Sequence, residues 1–179
     1  SIPCHDFMQM EDVAWKNAVA TAEGAVAEAI ALSPRNLYRS RCLVFGYGRC
    51  ASILADRLKG MGASVTVAGR DASQLVRAHC LGYDTCLLKE LESVIGEFDF
   101  IFNTIPSLVL DAALAKQLQE NAAVIDIASA PGGVDFQALE RLNIRARLCP
   151  GLPGRYSPLS SAIILYEAVM EHIRDSQTQ

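Results

Sequence analysis

The segment Arg41-Cys42-Leu43-Val44-Phe45-Gly46-Tyr47-Gly48-Arg49-Cys50-Ala51 constrains the fold more than any other. An apolar run breaks into G-x-G-x-x-A and passes directly into a helical pattern. Gly46 permits a tight turn off a strand, Gly48 leaves room for a pyrophosphate to touch backbone, and Ala51 lets the new helix pack close to the strand. A helix beginning near Arg49 would aim its unpaired N–H groups and the positive end of its dipole at the phosphates. Short glycine-spaced runs also arise in ordinary turns, but here a strand-like run precedes the turn. An amphipathic segment follows it (Ile53, Leu54, Leu58, Met61), closing at Gly60 and Gly62. Gly46, Tyr47, Gly48, Arg49, Cys50 and Ala51 are therefore expected to grip a dinucleotide's phosphates, with a purely structural turn as the alternative.

Strand-like and helix-like segments alternate along the rest of the chain. Strands are predicted over 42–45, 64–68, 84–87, 98–103, 123–127 and 145–148, and helices over 49–61, 72–81, 89–95, 110–119, 136–142 and 158–173. Residues 1–10 have no period and read as an arm. Two helices, 11–17 and 21–32, precede the first strand, the second with Ala22, Val26, Ala29 and Ile30 on one face and a stop at Ser33-Pro34-Arg35-Asn36. Parallel neighbours need crossovers, so this alternation predicts an α/β, Rossmann-type doubly wound parallel sheet of about six strands, helices on both faces, and strand order 3-2-1-4-5-6. The expected division is an N-terminal arm with interdomain-type helices over 1–40 and the nucleotide-binding domain over 41–179. Residues 175–179 are expected to fray.

Composition narrows the function classes. Of 179 residues 51% are apolar, yet no uninterrupted apolar run approaches the ~18 residues of a membrane span. No charged-then-apolar leader opens the chain, which points to a cytoplasmic protein, and the start at Ser1 suggests a fragment. The net charge of −4 is interspersed rather than gathered into a basic face, which argues against nucleic acid. Cys4, Cys42, Cys50, Cys80, Cys86 and Cys149 form no C-x-x-C pair and read as free thiols in a reducing compartment, with no metal site expected. Cys50, inside the phosphate turn, is expected to be the most reactive.

Ligands of an open sheet bind beyond the carboxyl ends of its strands, where the strand order reverses. After the second strand, Gly69 occupies the place of the acidic residue that would hold a ribose 2′-hydroxyl, and Arg70 follows. A guanidinium there can pair with a 2′-phosphate, and Ser73 can add a donor, so NADP(H) is expected over NAD(H). NAD(H) remains possible if Arg70 is only a surface residue and Asp71 holds the ribose. Asn103, Thr104, Ile105 and Pro106 are expected to present polar groups to the nicotinamide ribose, with strand-end capping as the alternative. Beyond the fifth strand, the small residues Ala128 and Ser129 would let a flat ring approach backbone. The loop Cys149-Pro150-Gly151-Leu152-Pro153-Gly154-Arg155-Tyr156-Ser157-Pro158 reads as rigid, with Arg155 free to meet a carboxylate. His79 and His172 lie too far from these stretches to serve as general bases, and His5 sits in the unpatterned arm; each reads as a surface or packing histidine.

Five stretches together resemble the nucleotide-binding domain of the dipicolinate synthase A-subunit family of spore-forming bacteria. They are Asn17-Ala18-Val19-Ala20-Thr21-Ala22-Glu23-Gly24-Ala25, Val44-Phe45-Gly46-Tyr47-Gly48-Arg49, Asn103-Thr104-Ile105-Pro106, 126–133 (Asp-Ile-Ala-Ser-Ala-Pro-Gly-Gly) and Pro150-Gly151-Leu152-Pro153-Gly154. The glycine turn is shared by very many dehydrogenases; the Thr-Ala-Glu-Gly segment, the Asn-Thr-Ile-Pro turn and the Pro-Gly-Leu-Pro-Gly loop in combination are more particular. The sequence departs from the family pattern at Ala20, where proline is expected and its loss would loosen a turn, and over 156–159, where a lysine is common.

The resemblance implies an NADP-dependent oxidoreductase, one component of a two-component enzyme. It would oxidise a dihydrodipicolinate-level intermediate of the lysine pathway to dipicolinate during sporulation, and its partner would be a second, flavoprotein-like subunit. It further implies an additional N-terminal domain in the family, so that an isolated fragment would bind cofactor but turn over poorly. Thr21 and Glu23, at the expected helix start, and Gly151, Leu152, Pro153, Gly154 and Arg155 would hold a small dicarboxylate substrate. Glu23 is a weak candidate for taking the proton, with helix capping by Thr21 and Glu23 as its competitor. Another NAD(P)-dependent amino or hydroxy acid dehydrogenase, a nucleotide-sensing regulatory module and an S-adenosylmethionine-dependent methyltransferase are the alternatives. A homo-oligomer is possible.

Overall fold

The computed structural model describes residues 6–177. Strands β1 (Arg41–Phe45), β2 (Ser64–Gly69), β3 (Asp84–Leu87), β4 (Phe100–Asn103), β5 (Ala123–Asp126) and β6 (Arg145–Leu148) alternate with helical segments. All neighbours pair in parallel, in the order β3-β2-β1-β4-β5-β6. That is the expected doubly wound order. From β1 the chain winds outward to β3, then returns past β1 to β4, and the two half-windings diverge at the carboxyl ends of β1 and β4.

Apart from Arg41 at the entry of β1 and Asn103 and Asp126 at the exits of β4 and β5, the central strands are apolar, because helices cover both faces. Side chains alternate between faces, so Val44, Phe100 and Phe102 join one core and Leu43, Phe45 and Ile101 the other. All six are fully buried, each contributing about 2 kcal/mol by removal from water.

One helix, α1 (Glu11–Leu32), stands where two were expected. Ala18-Val19-Ala20 continues it, and Thr21 is mid-helix, its hydroxyl donating to the carbonyl of Asn17 at 2.9 Å. No turn exists for Ala20 to loosen. A proline there would remove an interior hydrogen bond and clash with the preceding turn, whereas alanine lets the helix run on. Fully buried Ala22, Ala25 and Ala29 seat α1 against the sheet core.

The other helices are α2 (Arg49–Gly60), α3 (Ala72–Cys80), α4 (Ala112–Ala115), α5 (Phe136–Arg141), α6 (Leu152–Tyr156) and α7 (Pro158–Gln177). The helix expected over 89–95 is instead two 3-10 segments, Leu88–Ser93 and Ile95–Glu97, which still bury Leu91 and Ile95. The ten-residue helix expected over 110–119 shrinks to α4, capped by Asp111. Gln119, beyond it, donates to the Phe98 carbonyl at 2.6 Å. The supposed loop after β6 contains α6, with a proline in its first turn. α7 continues past the expected end, so residues 175–177 are helical rather than frayed. The edge aromatic contact between Phe7 and His172, 5.6 Å between centroids, ties part of the expected arm to α7. Residues 1–5, with Cys4 and His5, and residues 178–179 lie outside the described residues.

Gly133 marks the tightest backbone approach. A Cβ there would lie 2.5 Å from both Asn103 Nδ2 and the Ile105 carbonyl oxygen, and 2.7 Å from that of Ser107. Its own carbonyl accepts from the amides of Val109 and Leu110, at 2.9 and 3.0 Å, so neither side is free to move away. Gly133→Ala should therefore cost about 2 kcal/mol or more, as overpacking against backbone does. Urea denaturation measures this, and an unchanged midpoint would contradict the packing.

Candidate nucleotide-binding cleft

The turn after β1 is held from both neighbouring strands. Gly46 takes φ +87°, and its amide donates to the Ala68 carbonyl of β2 at 2.8 Å. From β4's side, the Thr104 hydroxyl donates to the Phe45 carbonyl at 2.7 Å. A Cβ on Gly46 would lie 2.9 Å from that hydroxyl oxygen, so both conformation and space require glycine. Gly48 precedes α2 with φ −79°, offers no side-chain cap, and has nothing within 4 Å of where a Cβ would stand. No acidic residue occupies the first turn of α2. The first amides of this helix are thus left without a side-chain acceptor, beside open space, at the positive end of the dipole. These features fit the diphosphate of a dinucleotide. Ala51, 1% exposed, packs beneath as expected. Tyr47 does not face the opening: it is 3% exposed and meets Tyr83 edge-on, 6.0 Å between centroids. Its contribution to the turn is backbone alone.

The exits of β4 and β5 are joined by a buried polar network. Asn103 and Asp126 are both fully buried, and Asn103 Nδ2 donates to Asp126 Oδ1 at 2.8 Å and to the Ile105 carbonyl at 3.0 Å. The Ile105 amide returns a bond to Asn103 Oδ1 at 3.0 Å. Asp126 also accepts from the amides of Ala128, at 2.9 Å, and Gly133, at 3.0 Å. The side chains of Asn103 and Thr104 are therefore spent on shaping the turns, the strand-end role that competed with ribose contact. Ala128 is buried, while Ser129, Pro106 and the backbone around Ile105 remain toward the surface.

A cleft of about 640 Å³ opens directly at the start of α2. Thr21 and Asn17 of α1, Arg49 and Cys50 of α2, Ser129, and Gly151, Pro153 and Gly154 around α6 line it, with Ser161 and Leu165 of α7. Sequence reasoning thus brought Thr21, Arg49, Cys50, Ser129, Gly151, Pro153 and Gly154 to one place. Three other expectations need correction. Glu23 is exposed and faces Arg57 of α2 at 3.8 Å rather than the cleft, and being mid-helix it caps nothing. Leu152 is 1% exposed, packed where a Cβ on Gly24 would lie only 3.0 Å from its own Cβ. Arg155 is bound to Glu28 at 2.8 Å and is not free to meet a carboxylate. Cys50 is corrected too: burial, the leading cause, pushes its thiol up from the ordinary value, which lowers its thiolate fraction.

A second group of expected cofactor residues stands at the exit of β2. Gly69 is buried at the strand end, and Arg70 is exposed and makes no ion pair among the described residues. Asp71 caps α3, accepting from the Ser73 amide at 2.8 Å and its hydroxyl at 2.7 Å. That hydroxyl bond, followed by the amide bond, holds the Asp71 carboxyl below the usual range. Asp71 and Ser73 therefore satisfy each other, and Arg70 is the free cation of this group.

Residues 10–142 match the family model of the NAD binding domain of D-isomer specific 2-hydroxyacid dehydrogenases. The chain belongs to this family. It is also 30% identical over 171 residues to the dipicolinate synthase A-subunit of Bacillus subtilis (strain 168), an alignment covering 96% of this chain and 58% of that protein. The crystal structure of the dipicolinate synthase A-subunit from Bacillus halodurans superposes with a TM-score of 0.90 at 32% identity, covering 93% of this chain and 57% of that one. The A chain of dipicolinate synthase from Bacillus subtilis gives 0.93 at 30%, covering 97% and 58%. The expected resemblance is borne out, and the chain spans a little over half the length of these relatives. No helix among the described residues is long and apolar enough to cross a membrane.

One feature of this NAD-binding domain escaped sequence reasoning. Glu28 of α1, its side chain 1% exposed, pairs with Arg147 of β6 and Arg155 of α6. Its position in an alanine-rich helical run gives no sign of burial, because both cationic partners lie more than a hundred residues downstream. The Arg147 hydrogen bond, then Tyr156 and the two positive charges, hold the Glu28 carboxyl below its ordinary 4.5 against the opposing effect of burial. The nearby Cys149 thiol is pushed up to about 11, first by burial and next by the Glu28 charge. A depressed carboxyl stabilises the fold fully above its unfolded value and loses that contribution as pH falls toward the folded value. The gap in urea midpoint between wild type and Glu28→Gln should hold steady from about pH 6 to 8. It should narrow below the ordinary value of 4.5, and a gap that stays constant down to acid unfolding would contradict the assignment.

Proposed function

We propose that the chain is the nucleotide-binding part of an NADP-linked oxidoreductase of the dipicolinate synthase type, oxidising a dihydropyridine dicarboxylate to its aromatic acid. The observation that carries this reading is a largely apolar cleft, suited to a flat ring, opening directly at the uncapped start of α2 and walled by Gly151, Pro153 and Gly154. Similarity to the dipicolinate synthase A-subunit over 96% of the chain supports the substrate class. A bound nicotinamide would supply the hydride acceptor. The protein's task is then orientation of two rings and charge partners for carboxylates. Gly46, Gly48 and the first amides of α2 hold the diphosphate. Arg49, lining the cleft and without an ion pair among the described residues, faces the anionic groups in place of Arg155. The small residues Ala128 and Ser129 and the turn at Thr104, Ile105 and Pro106 lie beside the nicotinamide ribose.

NADP(H) is the preferred cofactor because Arg70 is exposed at the β2 exit with no carboxylate standing free beside it. The relative's name makes it one subunit of its enzyme, which supports a partner subunit here. We take that partner to be flavoprotein-like, and the working location is the cytoplasm.

Titration of NADPH and NADH by calorimetry tests both cofactor and site. Wild type should favour NADPH, and Arg70→Ala should lose about tenfold in NADPH affinity, the scale of one charge-assisted hydrogen bond, with NADH little changed. Equal wild-type affinities would reject the NADP preference. Gly48→Val places a side chain in space that is open in the fold, so it should leave thermal stability near wild type while abolishing binding of both dinucleotides. Retained binding would move the diphosphate elsewhere. Hydride transfer from the dicarboxylate, assayed with the partner subunit present, tests the reaction itself.

A further inference from the structure

We propose that Glu28 is a positioning residue: by tying Arg155 of α6 and Arg147 of β6 to α1, it sets the spacing of the two walls between which the nicotinamide end of the cofactor lies. The inference rests on the nucleotide reading above. The walls are contributed by separate elements, α1 through Asn17 and Thr21, and the α6 segment through Gly151, Pro153 and Gly154. The adenosine end is directed to the other side of the α2 start by the β2 exit, which leaves these walls to the nicotinamide.

The α6 segment has little to hold it in place by itself. It is five residues long, too short to be stable as an isolated helix. It is entered through Gly151 at φ +66°, and Gly154 adds no side chain to anchor it. Its position depends on ties to the rest of the fold. One is the packing of Leu152 and Tyr156 against Gly24. The other is Arg155, the residue after Gly154, which reaches Glu28 at 2.8 Å. Glu28 lies seven residues after Thr21, on the same face of α1, so the tie and the wall share one helix on each side. Arg147 of β6 is the second ion-pair partner of this buried carboxylate. A lone arginine on a short helix would swing with solvent. A buried carboxylate already aligned by a second arginine gives it one place to go.

Two variants of the 179-residue chain separate positioning from folding. Arg155→Met removes the tie from an exposed site and leaves Glu28 paired with Arg147, so the fold should survive; Glu28→Gln removes the shared acceptor. Without ligand, hydrogen exchange at the amides of Arg155 and Ser157, bonded to Gly151 and Pro153 carbonyls at 3.2 and 2.9 Å, should quicken at least tenfold in Arg155→Met. Affinity is then measured for NADPH and for 2′-phospho-ADP-ribose, which lacks nicotinamide, with NADH and ADP-ribose as the second pair. Both variants should lower the ratio of dinucleotide to fragment affinity about five- to tenfold, with fragment affinity within twofold of wild type. Unchanged exchange in Arg155→Met overturns the tie. An unchanged ratio, or a loss shared equally by dinucleotide and fragment, overturns the positioning role. Wild type that binds neither ligand of either pair rejects the nucleotide reading itself, and the role with it.

Discussion

The rest of the structure depends on the backbone where β1 ends. Phe45 and Gly46 are bonded from both sides, by the Thr104 hydroxyl and to the Ala68 carbonyl, at 2.7 and 2.8 Å. The chain can leave the sheet only through a left-handed residue, φ +87°, in a space that leaves no room for a side chain. That single requirement fixes where α2 begins and which way its first amides point. Because β2 and β4 supply the two bonds, the turn also registers the two half-windings of the sheet against each other. The crevice at their divergence is a consequence of the same contacts that hold the central strands together.

Two buried carboxylates then shape the crevice's walls by different means. Asp126 is satisfied by an asparagine amide and by backbone N–H groups of Ala128 and Gly133. Its partners lie in fixed backbone, and it joins the β4 and β5 exits into one rigid rim. Glu28 is instead faced by two half-exposed arginines. Its partners sit on long side chains at the ends of different elements. Both carboxylates must recover a large desolvation cost, Asp126 through short bonds from neutral donors held in fixed backbone and Glu28 through the opposite charge of its guanidinium partners. The first arrangement suits a rim that stays put, and the second suits the junction of a long helix with a short one.

Much of this was legible in the sequence, because period and turn chemistry are local. The apolar run from Cys42 to Phe45, the glycine spacing and the alternation of segments sufficed for the strand order and for the start of α2 at Arg49. Helix extents were less legible. Nothing in the stretch from Asn17 to Thr21 breaks a helix, yet its periodicity falters there, and only packing of small residues against the sheet makes one helix of 22 residues. Side-chain destinations were least legible. Tyr47 looks like part of the phosphate turn but finds Tyr83 across the fold. Arg155 looks free to bind a carboxylate, but its carboxylate is Glu28, paired in turn with Arg147 at a separation of 119 residues. Motif spacing tells which backbone meets a ligand; it does not tell which charges the fold has already consumed.

The same distinction bears on where specificity resides. The match to the broad dehydrogenase family spans residues 10–142 and stops before β6. The resemblance to the dipicolinate synthase A-subunit continues over nearly the whole chain, taking in the Pro-Gly-Leu-Pro-Gly segment and α7. Those later elements supply one wall of the cleft, including Pro153, Ser161 and Leu165. A phosphate turn answers to a ligand portion common to all dinucleotide enzymes, so it constrains residues that the whole family shares. On the proposed reading, the wall opposite α1 would answer to whatever ring lies beyond the nicotinamide, and it is built from the portion outside the broad family match. The nucleotide assignment and the substrate assignment therefore draw on different parts of the chain, and the second stands or falls on the segment whose Arg155 pairs with Glu28.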